Sequence, residues 1–166
     1  MEPKKCKTRL HCTMMACCFL LGMVQSDLFA ETPRQALQET IDRLQNILRD
    51  PDLREDIRTE QVREIIVARF DFLEMSKRTL GSHCEQNVEK QDEFIAAFTE
   101  FMKRTFFNKV DKIKDTKVIC RDEELRGSTA KVITSIHMSG EEFKIKFQMQ
   151  QFGTGWKIYD VLRIII

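Results

Sequence analysis

Three acids stand where proton chemistry is conceivable: Asp71 and Glu74, three apart in ARFDFLEM (residues 68–75), and Asp160 inside the apolar run WKIYDV (residues 156–161). Carboxylates three apart share one face of a helix, an arrangement that general acid–base catalysis can use. Arg69, Lys77 and Arg78 surround that pair, however, and helix-surface ion pairing accounts for it better. Asp160 is set among apolar neighbours, where an acid either gains a raised pKa and a role as general base or is engaged by a basic side chain or backbone groups. The second outcome is the commoner one. His83 beside Cys84 suggests a metal ligand pair or a Cys/His nucleophile, but adjacent residues rarely supply both ligands and no other ligand cluster accompanies them. His137 is explained by an exposed strand position. The sequence has no G-x-S-x-G elbow, glycine-rich phosphate loop, H-E-x-x-H or paired C-x-x-C. No cofactor and no metal are expected.

What the sequence does supply in quantity is apolar and aromatic. The chain of 166 residues has room for one domain with a real core, and a net charge of +1 argues against a nucleic-acid partner. Residues 1–30 stand apart: Lys4, Lys5, Lys7 and Arg9 precede an uncharged run, MMACCFLLGMV (residues 14–24), and then a small residue, Ala30. That order is a secretory signal peptide, and the run is too short to span a bilayer, which takes about 20 residues. Cleavage is expected between Ala30 and Glu31, leaving a single domain over residues 31–166 with 23 basic and 24 acidic residues. Only Cys84 and Cys120 remain after cleavage, and an exported chain can bridge them. Such a bridge closes a loop of about 35 residues and adds roughly 3–4 kcal/mol; two unpaired, partly buried thiols are the alternative.

The elements that must position these groups follow from periodicity. Thr32-Pro33-Arg34-Gln35 is a helix start, with Leu37, Ile41, Leu44, Ile47 and Leu48 at helical spacing and Asp50-Pro51 as the stop. A second helix is expected over residues 59–80, capped by Thr59 and ended by Gly81. A third, over residues 88–108, carries Phe94, Phe98, Phe101, Met102 and Phe106 on one side. Beyond Lys112 the period drops to 2, giving strands at residues 118–120, 130–137, 143–150 and 156–166. Helices followed by an antiparallel meander make an α+β fold, with the helices on one face of the sheet. Ten phenylalanines lie beyond residue 30 against one Tyr and one Trp, which suits either a well-filled core or a greasy cavity for acyl chains.

The stretch ARFDFLEM with Leu80-Gly81 resembles the RFDF-x-EM…LG signature of the MlaC family, also described as toluene-tolerance auxiliary proteins. FIAAFTEFMKRTF (residues 94–106) is similar to the helix that follows it in the family, and GWKIYDV (residues 155–161) to the family's G-W-K-[VI]-Y-D-V. The resemblance implies an NTF2/cystatin-like cone and a periplasmic carrier, with a phospholipid as cargo rather than a cofactor. Such a carrier serves an outer-membrane lipoprotein complex and an inner-membrane MCE/ABC transporter complex, supports outer-membrane lipid asymmetry and solvent tolerance, and catalyses nothing. On the matched elements, apolar placement selects Phe70, Met75, Phe94, Phe98, Phe101, Phe147, Met149 and Trp156 to line the lipid cavity, in a protein expected to be monomeric. The chain departs from the family pattern at Cys84, where Trp is common, and at Asn87-Val88, where Thr-Pro is usual. After Val161 the pattern implies a further stretch and a final helix, whereas residues 162–166 end this sequence, so the family's C-terminal tail is expected to be missing. Two other readings stand beside the carrier: an NTF2-like enzyme of a small hydrophobic substrate with Asp160 or Asp71 as base, and a shortened carrier impaired in lipid loading. The exported protein should carry Glu31 at its amino terminus; terminal sequencing that reads any residue before position 31 overturns the cleavage expectation.

Overall fold

The computed structural model describes residues 31–81, 88–138 and 140–164. The segment expected to be a signal peptide, His83, Cys84 and the end at Ile166 therefore lie outside the described residues. Helices α1 (Pro33–Arg49), α2 (Glu55–Arg69), α3 (Phe72–Leu80) and α4 (Val88–Val110) precede strands β1 (Lys117–Arg126), β2 (Thr129–Met138), β3 (Glu141–Phe152) and β4 (Gly155–Ile164). The strands form one curved antiparallel sheet in the order β1-β2-β3-β4, so the fold is α+β with helices against one sheet face. A single 3-10 turn at Asp111–Ile113 joins the two halves.

α1 begins as its sequence dictates. The Thr32 hydroxyl accepts from the Gln35 N–H, the Gln35 side chain accepts from the Thr32 N–H, and Pro33 occupies the first turn. Its first half packs on the sheet, with Ala36, Leu37 and Ile41 against Ala130, Val132, Met149, Trp156 and Ile158. Its second half packs on the other helices, with Leu44 and Leu48 against Val62, Ile65, Ile66, Phe72 and Met75. One helix thus serves two cores.

The helix expected over residues 59–80 is two helices, and α2 starts earlier, at Glu55, with no side-chain cap. Phe70 breaks it. Its backbone is extended (φ −97°, ψ 140°) and makes a parallel bridge to Ile158, while the Asp71 N–H donates to the Ile158 carbonyl at 2.8 Å. Leaving the helix there lets Phe70 pack against both cores. The bond to the edge strand replaces the helical one that the Asp71 N–H gives up. Asp71 then caps α3: Oδ1 accepts from the Glu74 N–H at 2.9 Å, and Oδ2 accepts from Gln150 Nε2 at 2.9 Å. Asp71 and Glu74 accordingly do not act as a pair. Glu74 instead pairs with Arg78 one turn on, at 2.7 Å. Arg69 completes the seam by donating Nε–H to Thr40 Oγ1 (2.7 Å) and Nη1–H to the Trp156 carbonyl (2.9 Å).

β1, β2 and β3 are longer than alternation alone marks. β1 runs on past Cys120 through a bulge before Asp122, and its register shifts by one residue there. A second irregularity sets Gln148 opposite Asp160 but Met149 opposite Ile158, which leaves Tyr159 as the extra residue on β4. The turn between β1 and β2 holds Gly127 at φ +58°, a conformation costly for other residues. Asp71→Ala removes a helix cap and an inter-element hydrogen bond together, and is expected to cost about 1–3 kcal/mol in chemical denaturation. Asp71→Asn, which can still cap, should cost less; an Ala variant within about 0.3 kcal/mol of the parent would refute the seam's structural role.

Candidate binding cleft

Along the shared face of β2 and β3, burial is uneven. Ala130, Val132 and Met149 lie under α1 and are sealed, whereas Ile136, Phe143, Ile145 and Phe147, on the same face by register, are only half-buried. α4 does not cover them; it packs on α2 and α3 through Phe98, Met102, Phe106 and Phe107. A cleft of about 450 Å³ remains between α3, α4 and the middle of β4. That size falls among small-ligand sites.

Met75, Phe98, Met102, Phe106 and Val161 make the apolar walls. Behind them an aromatic cluster fixes the floor, with Phe70 and Phe106 centroids 4.3 Å apart and Phe72 within 6.3 Å of Phe106. Phe94 stacks on Phe98 at 5.7 Å. The two threonines that line the cleft are turned away from it in chemical terms. Thr79 Oγ1 donates to the Met75 carbonyl (2.9 Å) and Thr105 Oγ1 to the Phe101 carbonyl (2.8 Å), so no hydroxyl proton is left for a ligand. Polar groups gather at the rim, and most are matched to one another. Asp160 Oδ2 accepts from Gln148 Nε2 at 2.6 Å, and the Tyr159 hydroxyl donates to Gln148 Oε1 at 3.4 Å. Arg78 lies over the Tyr159 ring at 4.1 Å while paired to Glu74. Lys109 supplies a further cation at the rim.

The residues selected from the sequence are distributed over four places. Met75 and Phe98 line the cleft, Phe70 lies in the aromatic cluster beneath it, and Phe94 continues the row beyond Phe98. Phe147 packs at the margin of the sheet core, Met149 is fully buried within it, and Trp156 lines a different groove while its indole N–H donates to the Glu31 carbonyl (2.9 Å). Phe101 stands outward, 64% exposed. Sequence reasoning passed over Met102, Phe106, Tyr159 and Val161 as lining residues. The signal for the first two was present, since Phe98, Met102, Thr105, Phe106 and Lys109 follow one helical face. Among the described residues no cluster of three or more His, Cys, Asp or Glu is placed to hold a metal.

The family model for "MlaC protein" matches residues 38–163. The chain belongs to the MlaC family. A solved structure of a phospholipid-binding protein from Ralstonia solanacearum, in complex with a phospholipid, is similar to it with a TM-score of 0.64 at 21% identity, covering 78% of this chain and 76% of that one. That likeness fixes the MlaC-type fold. A de novo designed protein with a curved β-sheet matches at a TM-score of 0.34 and 15% identity, over 39% of this chain and 62% of its own, too distant to bear on the fold. No curated protein sequence matches the chain. Among the described residues no helix is long and apolar enough to cross a membrane.

Cys120, the described member of the expected bridge, is half-buried against the α1–sheet core. Burial pushes its thiol up to about 11, with Asp42 adding to the shift and Arg34 opposing it. Because the thiolate is the nucleophile, reactivity must rise as pH approaches that value. In a Cys84→Ser variant, iodoacetamide should therefore label native Cys120 very slowly at pH 8 and faster toward pH 11. Rapid labelling at pH 8 would contradict this burial.

Proposed function

We propose that the chain is a periplasmic phospholipid carrier, holding acyl chain in the α3–α4–β4 cleft and performing no bond-making step. One observation carries this reading: the cleft is walled by Phe, Met and Val while its threonine hydroxyls are turned onto their own helix backbone. A lipid tail asks for that environment. Burying ten methylenes contributes about 8 kcal/mol, with no directional contact required. Methionine and phenylalanine adapt to chains of different length, which suits a carrier of mixed lipids. The cleft as it stands has room for one acyl chain rather than for a whole two-tailed lipid. Membership of the MlaC family and the phospholipid in the Ralstonia structure support the same reading. In it, the protein passes lipid between an outer-membrane lipoprotein complex and an inner-membrane MCE/ABC transporter. It thereby maintains lipid asymmetry and solvent tolerance, working as a monomer.

The catalytic alternative finds less support. Asp71 has one oxygen on the α3 N-terminus and the other on Gln150, and Asp160 is engaged by Gln148. Asp71 lines neither cavity, and Asp160, at the rim of the cleft, has Oδ2 taken by Gln148 rather than turned to a substrate.

Solvent extraction of detergent-free protein followed by mass spectrometry should give phospholipid near one per chain. Phe98→Asp, on the cleft wall, should lower that lipid content about tenfold or more with unchanged circular dichroism, because a carboxylate would be buried among tails. Phe101→Asp, on the exposed side, should retain it. Reproducible absence of lipid from the parent protein, or equal loss from both variants, would sink the proposal.

A further inference from the structure

α1, α2 and the β3–β4 hairpin enclose a second groove, of about 690 Å³, that shares no residue with the cleft. Three cations face it from three elements: Arg43 on α1, Arg69 at the end of α2 and Lys157 at the start of β4. Two acids, Glu31 and Glu64, also line it. None of these five is in an ion pair among the described residues.

Arg69 is the informative member. Two of its nitrogens are spent on Thr40 and the Trp156 carbonyl, which fixes the guanidinium in place. Its Nη2 has no acceptor among the described residues, yet it is not sealed off as a buried orphan. It is therefore open to the groove. Burial holds the Arg69 pKa below its ordinary value, Glu31 and Glu39 opposing. Glu31 and Glu39 lie near enough to act on Arg69 but form no contact ion pair with it, so a half-buried, immobilised guanidinium, its ordering cost already met, is left to receive an anion directly. The walls add an apolar component from Ile47, Ile65 and the Trp156 ring, and Lys157 is held over the Phe152 ring at 4.4 Å.

We propose that this groove is a separate binding site for a small organic anion, with one carboxylate or phosphate group on Arg43, Arg69 and Lys157 and an apolar body against Ile47 and Trp156. Three cations against two acids favour a single anionic group and disfavour a polyanion, since Glu31 and Glu64 repel further negative charge. A volume of about 690 Å³ suits a small molecule in its entirety. The site does not depend on the lipid reading, because no residue is common to both.

Trp156 is the chain's only tryptophan, so its emission reports on the groove alone. The processed protein titrated with phenyl phosphate, against sodium chloride blanks of equal ionic strength, should show a saturable emission change with a midpoint at about millimolar or below. Phenol, of the same shape without the charge, should give none. The double variant Arg43→Ala, Lys157→Ala should raise the midpoint about tenfold or more, with circular dichroism and lipid content unchanged. Phe98→Asp, in the cleft, should leave the titration as it is. A response no larger than the salt blank, an equal response to phenol, or an unmoved midpoint in the double variant overturns the proposal. Lipid content, read separately by mass spectrometry, keeps a failure here distinct from a failure of the carrier reading.

Discussion

Three consecutive residues hold this fold together. Arg69 reaches α1 and the start of β4, Phe70 bridges to the β4 edge, and Asp71 receives one hydrogen bond from α3 and another from β3. Between α2 and α3 the chain therefore behaves for two residues as a sheet element. Every helix except α4 is referred to the strands through that seam or through α1. The cost is an interrupted helix. The return is a backbone bond to Ile158 that no continuous helix can make. It also places Phe70 where the two cores meet, so that neither closes without it.

The seam explains why a cleft exists. It draws α3 against β4, and α4 follows α3 rather than the sheet. The apolar face of α4 and the half-buried run Phe143, Ile145 and Phe147 are then left without full partners. In a protein with no ligand to bind, so much unsatisfied apolar surface would be a liability, because burial is the dominant favourable term in folding. Here the polar groups around it have been neutralised locally: hydroxyls on their own helix, Asp160 on Gln148, Arg78 on Glu74 and Tyr159. A cleft whose hydroxyl protons are taken, with Lys109 as its one cation outside these pairings among the described residues, offers a ligand mainly apolar contact.

Much of the scaffold was legible in the sequence. The capping box of α1 is spelled out in Thr32-Pro33-Arg34-Gln35, and the alternation of Phe143, Ile145, Phe147 and Met149 gave β3 its buried face. The helix break was not legible, because Asp71 has the same identity whether it pairs on a helix surface or caps a new helix. What decides is the position of Ile158, eighty-odd residues away. Strand length was underestimated for a related reason: the second half of β1 carries Asp122, Glu123 and Glu124, which look like loop but pair with β2 from an exposed edge. Lining residues were harder still. Phenylalanine marks burial without saying which side of it is empty, and so Met149 and Phe98 read alike although one is sealed and the other faces the cleft.

The run GWKIYDV gains a physical meaning residue by residue. Gly155 and Trp156 line the groove with Lys157, Ile158 makes the seam, and Tyr159, Asp160 and Val161 line the cleft. A strand of strict alternation cannot bury Trp156, Ile158 and Tyr159 together. The bulge at Tyr159 is what permits it, by turning the strand's polarity between its two ends. Deleting that one residue would leave Asp160 opposite Gln148 and Val161 opposite Phe147, and would remove only the extra buried ring. The motif is thus a register device before it is a set of contacts: it lets seven residues of a single edge strand serve a groove, a seam and a cleft that require opposite faces.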